Sequence, residues 1–128
     1  APEAIAPGRR GRILVVDDEP MVAKALRRIL AAEHDAVSVT SGREALERLA
    51  GGPFDLILCD LMMPDMTGMD LHAELSARSP DYANRMIFLT GGAFTPRARE
   101  FLDRVPNRWI EKPVELQQLR ALVRDHLR

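Results

Sequence analysis

The sequence predicts an α/β domain built on a five-stranded parallel sheet with helices on both faces. Short segments of strand length, rich in apolar and β-branched residues, occur five times along the 128 residues. A segment with apolar residues at helical spacing follows each of them. Such alternation is typical of parallel sheets, because each helix returns the chain to the end of the sheet where the next strand begins.

The first half of the chain contains two strand–helix pairs. Residues 13–16 are apolar, and Pro20 suits the first turn of the helix that follows them. A second β-favouring segment precedes Ser41 and Glu44, whose spacing is that of a capping box at a helix start. Two glycines and a proline at residues 51–53 are expected to end this second helix.

The third pair contains the most apolar strand of the chain. Residues 56–59 are all apolar, and Asp60 follows them directly. A carboxylate is costly to bury without partners, so Asp60 marks a place where other polar groups are expected. Thr67 with Asp70 can cap the next helix, and the Ser-Pro-Asp sequence at residues 79–81 is expected to close it.

The last two pairs complete the pattern. An apolar segment ends in Thr90, and Thr95 with Pro96 forms a cap and first turn for the fourth helix. A short fifth strand runs into Lys112, and the apolar stripe of a fifth helix follows. The five strands are expected at residues 12–18, 35–40, 54–60, 86–89 and 109–110.

The composition indicates one globular domain and excludes several kinds of site. A net charge of -1 provides no overall field that would attract nucleic acid or an anionic membrane. The single cysteine excludes an internal disulfide and a cysteine-based zinc site. Neither a membrane-spanning run nor a signal-peptide pattern is present, and we expect a cytoplasmic domain. Residues 1–11 are expected to be a linker or disordered leader, which assigns the domain to residues 12–128.

Polar residues follow four of the five predicted strands. Because the carboxyl ends of parallel strands meet at one edge of a sheet, these side chains are expected to lie together. Carboxylates in close proximity repel one another unless a cation lies between them. Oxygen ligands without His or Cys favour a hard cation, and Mg²⁺ is the natural candidate. The residues concerned are Asp17, Asp18, Asp60, Thr90 and Lys112.

This constellation favours phosphoryl transfer. Asp60 can act as the nucleophile without a general base, because a carboxylate with an ordinary pKa of about 3.9 is already ionised at neutral pH. Mg²⁺ and Lys112 would neutralise charge on the transferred group, and the Thr90 hydroxyl could donate a hydrogen bond to it. Gly91 would leave space beside the nucleophile. Taken singly, an Asp-Asp pair, Thr-Gly or Lys-Pro is more often a cap or a turn.

Four segments in this order resemble the receiver domain of two-component response regulators. The resemblance covers the chain from Arg12 onwards and implies a doubly wound, flavodoxin-like sheet with strand order 2-1-3-4-5 and five helices. The segments are LVVDDEP at Leu14–Pro20, DLMMPDMTG at Asp60–Gly68, LTGG at Leu89–Gly92 and EKP at Glu111–Pro113.

The resemblance implies a metal-dependent phosphoacceptor. Asp60 would take a phosphoryl group from a phosphohistidine. Asp18 and Asp60 would bind Mg²⁺ directly, together with the backbone carbonyl of Met62, and Asp17 would act through water. Lys112 would contact the phosphoryl group, and its bond to Pro113 would be cis.

The resemblance also implies two switch residues and two residues that set the lifetime of the phosphoryl group. Thr90 would swing toward phosphorylated Asp60, and Trp109 stands where the family usually has an aromatic switch residue. Met62 and Gly92 stand at two positions that tune phosphoryl lifetime in the family. Neither side chain can orient an attacking water, so we expect comparatively slow self-hydrolysis.

The expected partner is a histidine kinase or a His-containing phosphotransfer domain. We expect no direct nucleic acid binding, no membrane contact by this domain, and a monomer or weak homodimer. The switched surface would be the fourth helix, fifth strand and fifth helix. Charges of both signs lie there, which could serve docking or solubility. They are Arg97, Arg99, Arg104, Arg108, Glu100 and Asp103.

Several alternatives stay open for the whole protein. The TGGAF sequence and the leader resemble receivers attached at the C-terminus of hybrid sensor kinases, whose parent chain would be a histidine kinase. A stand-alone single-domain regulator or an excised N-terminal receiver is the alternative, and a chain that begins with Ala is expected to be processed or part of something larger. The domain itself would catalyse only its own phosphorylation and dephosphorylation.

Three other functions are weighed against this one. An aspartyl-phosphate phosphatase of the haloacid-dehalogenase type would want a second Asp where Met62 stands. A degenerate binding module would lack one of the acidic or lysine residues, and all are present. A nucleotide-binding Rossmann module is disfavoured because no G-x-G-x-x-G follows the first strand.

Overall fold

The computed structural model describes residues 10–91 and 95–127. Five strands and six helices are present within these ranges. In chain order they are β1 Arg12–Val16, α1 Pro20–Ala31, β2 Asp35–Val39, α2 Gly42–Ala50, β3 Leu56–Asp60, α3 Gly68–Arg78, α4 Pro80–Asn84, β4 Met86–Thr90, α5 Pro96–Arg104, β5 Trp109–Glu111 and α6 Leu116–Leu127.

The five strands form one parallel sheet in the order β2-β1-β3-β4-β5, which confirms the predicted order. Val16 pairs with both Val39 and Cys59, at the carboxyl ends of three adjacent strands. Leu89 of β4 pairs with Asp60, the last residue of β3. The residues after β1, β3 and β4 therefore emerge at one edge of the sheet.

The sheet separates two apolar clusters. Consecutive strand residues point to opposite faces, so Leu14 and Ile57 belong to one cluster whereas Ile13 and Leu58 belong to the other. Helices α2, α3, α4 and α5 supply the first cluster, and α1 and α6 supply the second. With both faces covered, β1, β3 and β4 are buried along almost their whole length.

The predicted helix caps form where the sequence placed them, with one difference. Thr67 and Asp70 make a complete capping box, in which each side chain accepts a hydrogen bond from the other residue's backbone N–H. Ser41 accepts from the backbone N–H of Glu44, but the Glu44 carboxylate accepts from the backbone N–H of Thr40 instead of Ser41. The second half of that box is thus displaced by one residue.

Five helices were predicted, but the described ranges contain six, and the additional one is short. Pro80–Asn84 forms α4, where the sequence was expected only to close α3. Five residues are too few to show a helical period in sequence, and such a helix depends on tertiary contacts. Asn107 supplies one of these, because its side-chain amide donates to the carbonyl oxygen of Ala83 at 2.8 Å. The fourth and fifth predicted helices are consequently α5 and α6.

β1 begins at Arg12. Of the predicted leader, residues 1–9 lie outside the described residues, as does Gly92. Across the described ranges, none of the helices combines the length and apolar character needed to cross a bilayer.

Candidate functional site

The sheet brings the five predicted polar residues to one edge. Asp17 and Asp18 directly follow β1, Asp60 and Thr90 are the last residues of β3 and β4, and Lys112 directly follows β5. The side chains of Asp17, Asp60 and Thr90 are buried. The strand ends thus provide a compact group of charged and polar side chains on an apolar base.

Three carboxylates form the centre of this group. Asp17, Asp18 and Asp60 each offer one carboxylate oxygen, and these oxygens all lie within 4.8 Å of one another. Asp17 is fully buried, and its Oδ1 accepts from the backbone N–H of Glu19 at 3.0 Å. The Oδ1 of Asp60 accepts from the backbone N–H of Met62 at 3.4 Å. Two of the three acids are therefore oriented by backbone donors.

Lys112 supplies positive charge to this cluster. Its ammonium donates to Oδ2 of Asp17 at 2.8 Å and lies 3.4 Å from Oδ2 of Asp60. Its backbone N–H donates to the carbonyl oxygen of Thr90 at 2.7 Å, which fixes the residue relative to β4. The Lys112–Pro113 bond is cis, as the resemblance implied. Lys112 therefore bridges two acids that would otherwise repel each other.

Burial raises the pKa of Asp60 to about 6, with the charge of Lys112 opposing the shift and that of Asp17 adding to it. Burial by itself lowers the pKa of Lys112, but the hydrogen bond to Asp17 and the charges of both acids outweigh it, so the pKa lies above its ordinary value. The positive charge of Lys112 therefore offsets only part of the negative charge of the buried acids.

The chemistry of the cluster fits a magnesium ion. Its donors are carboxylate oxygens, which a hard cation prefers. The three carboxylates outnumber the Lys112 ammonium that contacts them, so the cluster has a net negative charge that a divalent cation would neutralise. Asp18, which is only half-buried, provides an oxygen at the open side of the cluster.

Gly68 determines how closely α3 approaches Asp60, and the sequence did not single it out as a site residue. A Cβ on Gly68 would lie 2.7 Å from the carbonyl oxygen of Asp60 and 2.9 Å from Cα of Leu61. The backbone N–H of Gly68 donates to the carbonyl oxygen of Leu61 at 2.8 Å and closes the loop between β3 and α3. Its place directly after the Thr67 cap was the available sequence signal.

The two predicted switch residues differ in their surroundings. The Thr90 hydroxyl is buried and has no hydrogen-bond partner among the described residues. Trp109 is 40% exposed, so its ring is not inserted into the core. Gly91 has open space where a Cβ would lie. Thr90 thus has an unused hydrogen-bonding group at the edge where the acids meet.

Asp60→Asn is expected to raise the free energy of unfolding by about 2 kcal/mol at neutral pH in the absence of divalent cations. A raised carboxyl pKa stabilises the fold fully below about pH 3.9, and that stability is lost as pH rises through about 6. Asparagine removes the cost of the buried charge and leaves Lys112 bound to Asp17. Urea unfolding with a chelator measures the difference, which should vanish at about pH 4.

The matched control for this prediction is Asp65→Asn. Asp65 is exposed and has a φ of 66°, a conformation that Asn tolerates equally well. The free energy of unfolding of the domain should not change with this substitution. A variant at position 60 that is no more stable than the unmodified protein at neutral pH contradicts the prediction.

The family model for the response regulator receiver domain matches residues 13–124. The transcriptional regulatory protein YkoG of Bacillus subtilis is 34% identical over 122 residues, which cover 93% of this chain and 52% of YkoG. The response regulator protein PilR of Pseudomonas aeruginosa is 38% identical over 120 residues, which cover 93% of this chain and 26% of PilR. The chain thus spans about half the length of YkoG and about a quarter of the length of PilR.

Solved structures agree with the sequence comparison. The signal receiver domain of a signal transduction histidine kinase from Syntrophus aciditrophicus superimposes with a TM-score of 0.80 and 32% identity, covering 91% of this chain and 89% of that domain. Because the family model spans most of the sequence and the sheet order agrees with it, the chain belongs to the response regulator receiver domain family of two-component systems.

Proposed function

We propose that this domain is the phosphoacceptor of a His–Asp phosphorelay, and that Asp60 takes the phosphoryl group from a phosphohistidine. One observation carries the proposal: Asp60 shares a buried cluster with two further acids, while the Lys112 ammonium lies 3.4 Å from its carboxylate. That arrangement suits a nucleophile whose product gains negative charge beside a fixed cation.

The reaction exchanges one bond to phosphorus for another. An Asp60 carboxylate oxygen forms a bond to phosphorus as the bond between phosphorus and the donor imidazole nitrogen breaks, and that nitrogen keeps the electron pair. No proton has to leave the nucleophile, because the carboxylate is ionised above its pKa of about 6. Lys112 is already held beside Asp60 by Asp17 and can contact the incoming phosphoryl oxygens.

Magnesium is the proposed cofactor. Asp18, Asp60 and the backbone carbonyl of Met62 would hold it directly, and Asp17 would act through water. When bound, it supplies positive charge to the phosphoryl oxygens. The oxygen-only donor set and the net negative charge of the cluster support this choice.

The response to phosphorylation is proposed to begin at Thr90. Its unused hydroxyl can donate to a phosphoryl oxygen on Asp60, which ends the adjacent strand. Phe88, two residues earlier on the same face of β4, lies with its ring centroid 5.3 Å from that of Phe101 in α5. A shift at the end of β4 would therefore reach the surface of α5, β5 and α6, with Trp109 as the second switch residue.

The proposed partner is a histidine kinase or a His-containing phosphotransfer domain. Met21, at the first turn of α1, is 83% exposed, and Met62 beside the acid cluster is 46% exposed. Exposed apolar side chains next to a reactive group suit a docking protein. We propose a cytoplasmic domain that is a monomer or weak homodimer and binds neither nucleic acid nor membrane.

The parent protein is proposed to be a hybrid sensor histidine kinase with this domain as its C-terminal receiver. The similarity to a receiver domain of a Syntrophus histidine kinase supports that architecture. The similarity to YkoG and PilR supports the alternative, a receiver within a separate regulator. Sequencing the complete gene distinguishes the two.

The domain is proposed to catalyse only its own phosphorylation and dephosphorylation. A phosphatase of the haloacid-dehalogenase type would need a second Asp two residues after its nucleophile to protonate the leaving group, and Met62 stands at that position. Sustained hydrolysis of p-nitrophenyl phosphate by the purified domain would favour the phosphatase instead.

Asp60→Asn is expected to abolish phosphoryl acceptance. The domain is incubated with a phosphorylated histidine kinase and Mg²⁺, and acid-stable, base-labile label on the domain is counted. Asp65→Asn is the matched control and should be labelled as well as the unmodified domain. A chelator should remove labelling from the unmodified domain and from the Asp65→Asn control. Label retained on the variant at position 60 would show that another residue is the acceptor.

Met62→Asn is expected to shorten the lifetime of the phosphorylated domain, because the amide of the asparagine side chain can form a hydrogen bond with an attacking water. Met62→Leu keeps an apolar side chain of similar size and should leave the lifetime unchanged. The decay of label is followed after removal of the kinase. Equal lifetimes for the two variants, or rapid decay in the unmodified domain, would contradict an unassisted hydrolysis.

A further inference from the structure

Gly11, which directly precedes β1, is fixed to the domain by a buried histidine. The backbone N–H of Gly11 donates to Nδ1 of His34 at 3.0 Å, and the carbonyl oxygen of Gly11 accepts from the backbone N–H of Asp35 at 2.9 Å. Both hydrogen-bonding groups of Gly11 are thus satisfied by the turn between α1 and β2. The bond to His34 is the only one of the two that involves a titratable group.

Arg10 adds a second layer of contacts to the same turn. Its guanidinium donates to Oδ1 of Asp35 at 3.2 Å and to the carbonyl oxygen of His34 at 3.3 Å. We refer to Arg10, Gly11, His34 and Asp35 as the N-terminal clamp. The ion pair with Asp35 is exposed and contributes little, so the buried bond between Gly11 and His34 is the specific part of the clamp.

Gly11 packs closely against the end of α6. A Cβ at this position would approach Cδ1 of Leu127, at the end of α6, to 2.8 Å. The imidazole of His34 is only 3% exposed. If this bond breaks, the polar groups can find water only when the segment moves away from the sheet.

The bond requires a neutral imidazole. A neutral ring can accept at Nδ1, whereas a protonated ring has a hydrogen on both nitrogens and would confront the N–H of Gly11 with another N–H. Burial lowers the pKa of His34; the charges of Glu33 and Asp35 oppose this shift, and those of Arg10 and Arg124 add to it. Neutral imidazole is therefore favoured while the clamp is closed.

We propose that His34 makes the N-terminal clamp proton-sensitive: Arg10 and Gly11 are held on the domain while the ring is neutral and are released when the ring takes up a proton. Because the closed clamp lowers the pKa of His34, the stability of the clamp is complete above the ordinary histidine pKa of about 6.5 and is lost as pH falls from there through the lowered pKa of the closed state. The proposal is independent of phosphoryl transfer, since the clamp lies at the amino ends of the strands.

Amide exchange measured by NMR on the full 128-residue chain tests the proposal. After correction for the intrinsic rate, exchange at Gly11 should accelerate about tenfold for each pH unit below about 6.5, until the pKa of the closed state is passed. Amides of β1 such as Val15 should keep their protection over this range. The His34 ring signals should titrate at the pH at which the acceleration of exchange at Gly11 levels off.

Two variants separate the clamp from other histidine effects. His34→Asn places an amide oxygen where Nδ1 lies and cannot titrate, so protection at Gly11 should become independent of pH. His72→Asn is the matched control and should leave the Gly11 transition in place. If protection at Gly11 is unchanged while His34 titrates, or if Gly11 and Val15 lose protection together in the unmodified chain, the proposal is overturned.

Discussion

Lys112→Met is expected to lower the free energy of unfolding by about 3 kcal/mol at neutral pH. The substitution removes the ammonium that lies 2.8 Å from Asp17 and 3.4 Å from Asp60. The Asp17 side chain is fully buried, so its charge cannot be compensated by water. Leaving a buried charge without its partner costs more than the ion pair itself contributes. Urea unfolding with a chelator measures the loss.

A double-mutant cycle tests the cause of this loss. Asp17→Asn combined with Lys112→Met removes both charges, and the double variant should recover most of the stability that the single variant loses. Lys24→Met is the matched control, because Lys24 is exposed on α1 and should change stability little. A double variant as unstable as Lys112→Met would mean that Lys112 acts through its packing instead of its charge.

Gly68→Ala is expected to destabilise the domain by about 2 to 3 kcal/mol, although alanine is the better helix former by about 1 kcal/mol. The added Cβ would press on the backbone of Asp60 and Leu61, which cannot rotate away as a side chain can. Relief of this contact would move α3 away from the strand end. Phosphoryl acceptance by Asp60 should fall together with stability.

Gly51→Ala is the control for the same chemical change elsewhere in the chain. A Cβ there would lie 3.6 Å from its nearest neighbour, the carbonyl oxygen of Arg48, which is an ordinary contact. The φ of Gly51 is -90°, so alanine is tolerated and should stabilise slightly. If Gly68→Ala is as stable as Gly51→Ala, the close approach of α3 to Asp60 is not the constraint inferred above.

A parallel sheet was predictable because the patterns that indicate it are local, whereas the order of its strands came from the resemblance to receiver domains. Apolar runs such as residues 56–59 report burial on both faces, and alternation with helices implies a parallel sheet. Once the strands are parallel, Asp17, Asp60 and Lys112 must emerge at one edge. That much of the candidate site follows from the order of residues alone.

The details that were missed depend on contacts between distant residues. The helix Pro80–Asn84 has no period of its own and is completed by the side chain of Asn107. Lys112 lies closer to Asp17, at 2.8 Å, than to Asp60, at 3.4 Å, and no local pattern in the sequence reports that difference. The close approach at Gly68 and the buried bond of His34 likewise join segments that are far apart in sequence.

The division of the interior into two clusters has a consequence for how this domain can diverge. Substitutions in regions without shared partners usually add to within about 0.3 to 0.5 kcal/mol. Ile57 and Leu58 are adjacent in sequence but belong to different clusters. A lineage can therefore vary the side made by α1 and α6 while it preserves the side beneath α5, and the two halves of the interior can evolve at separate rates.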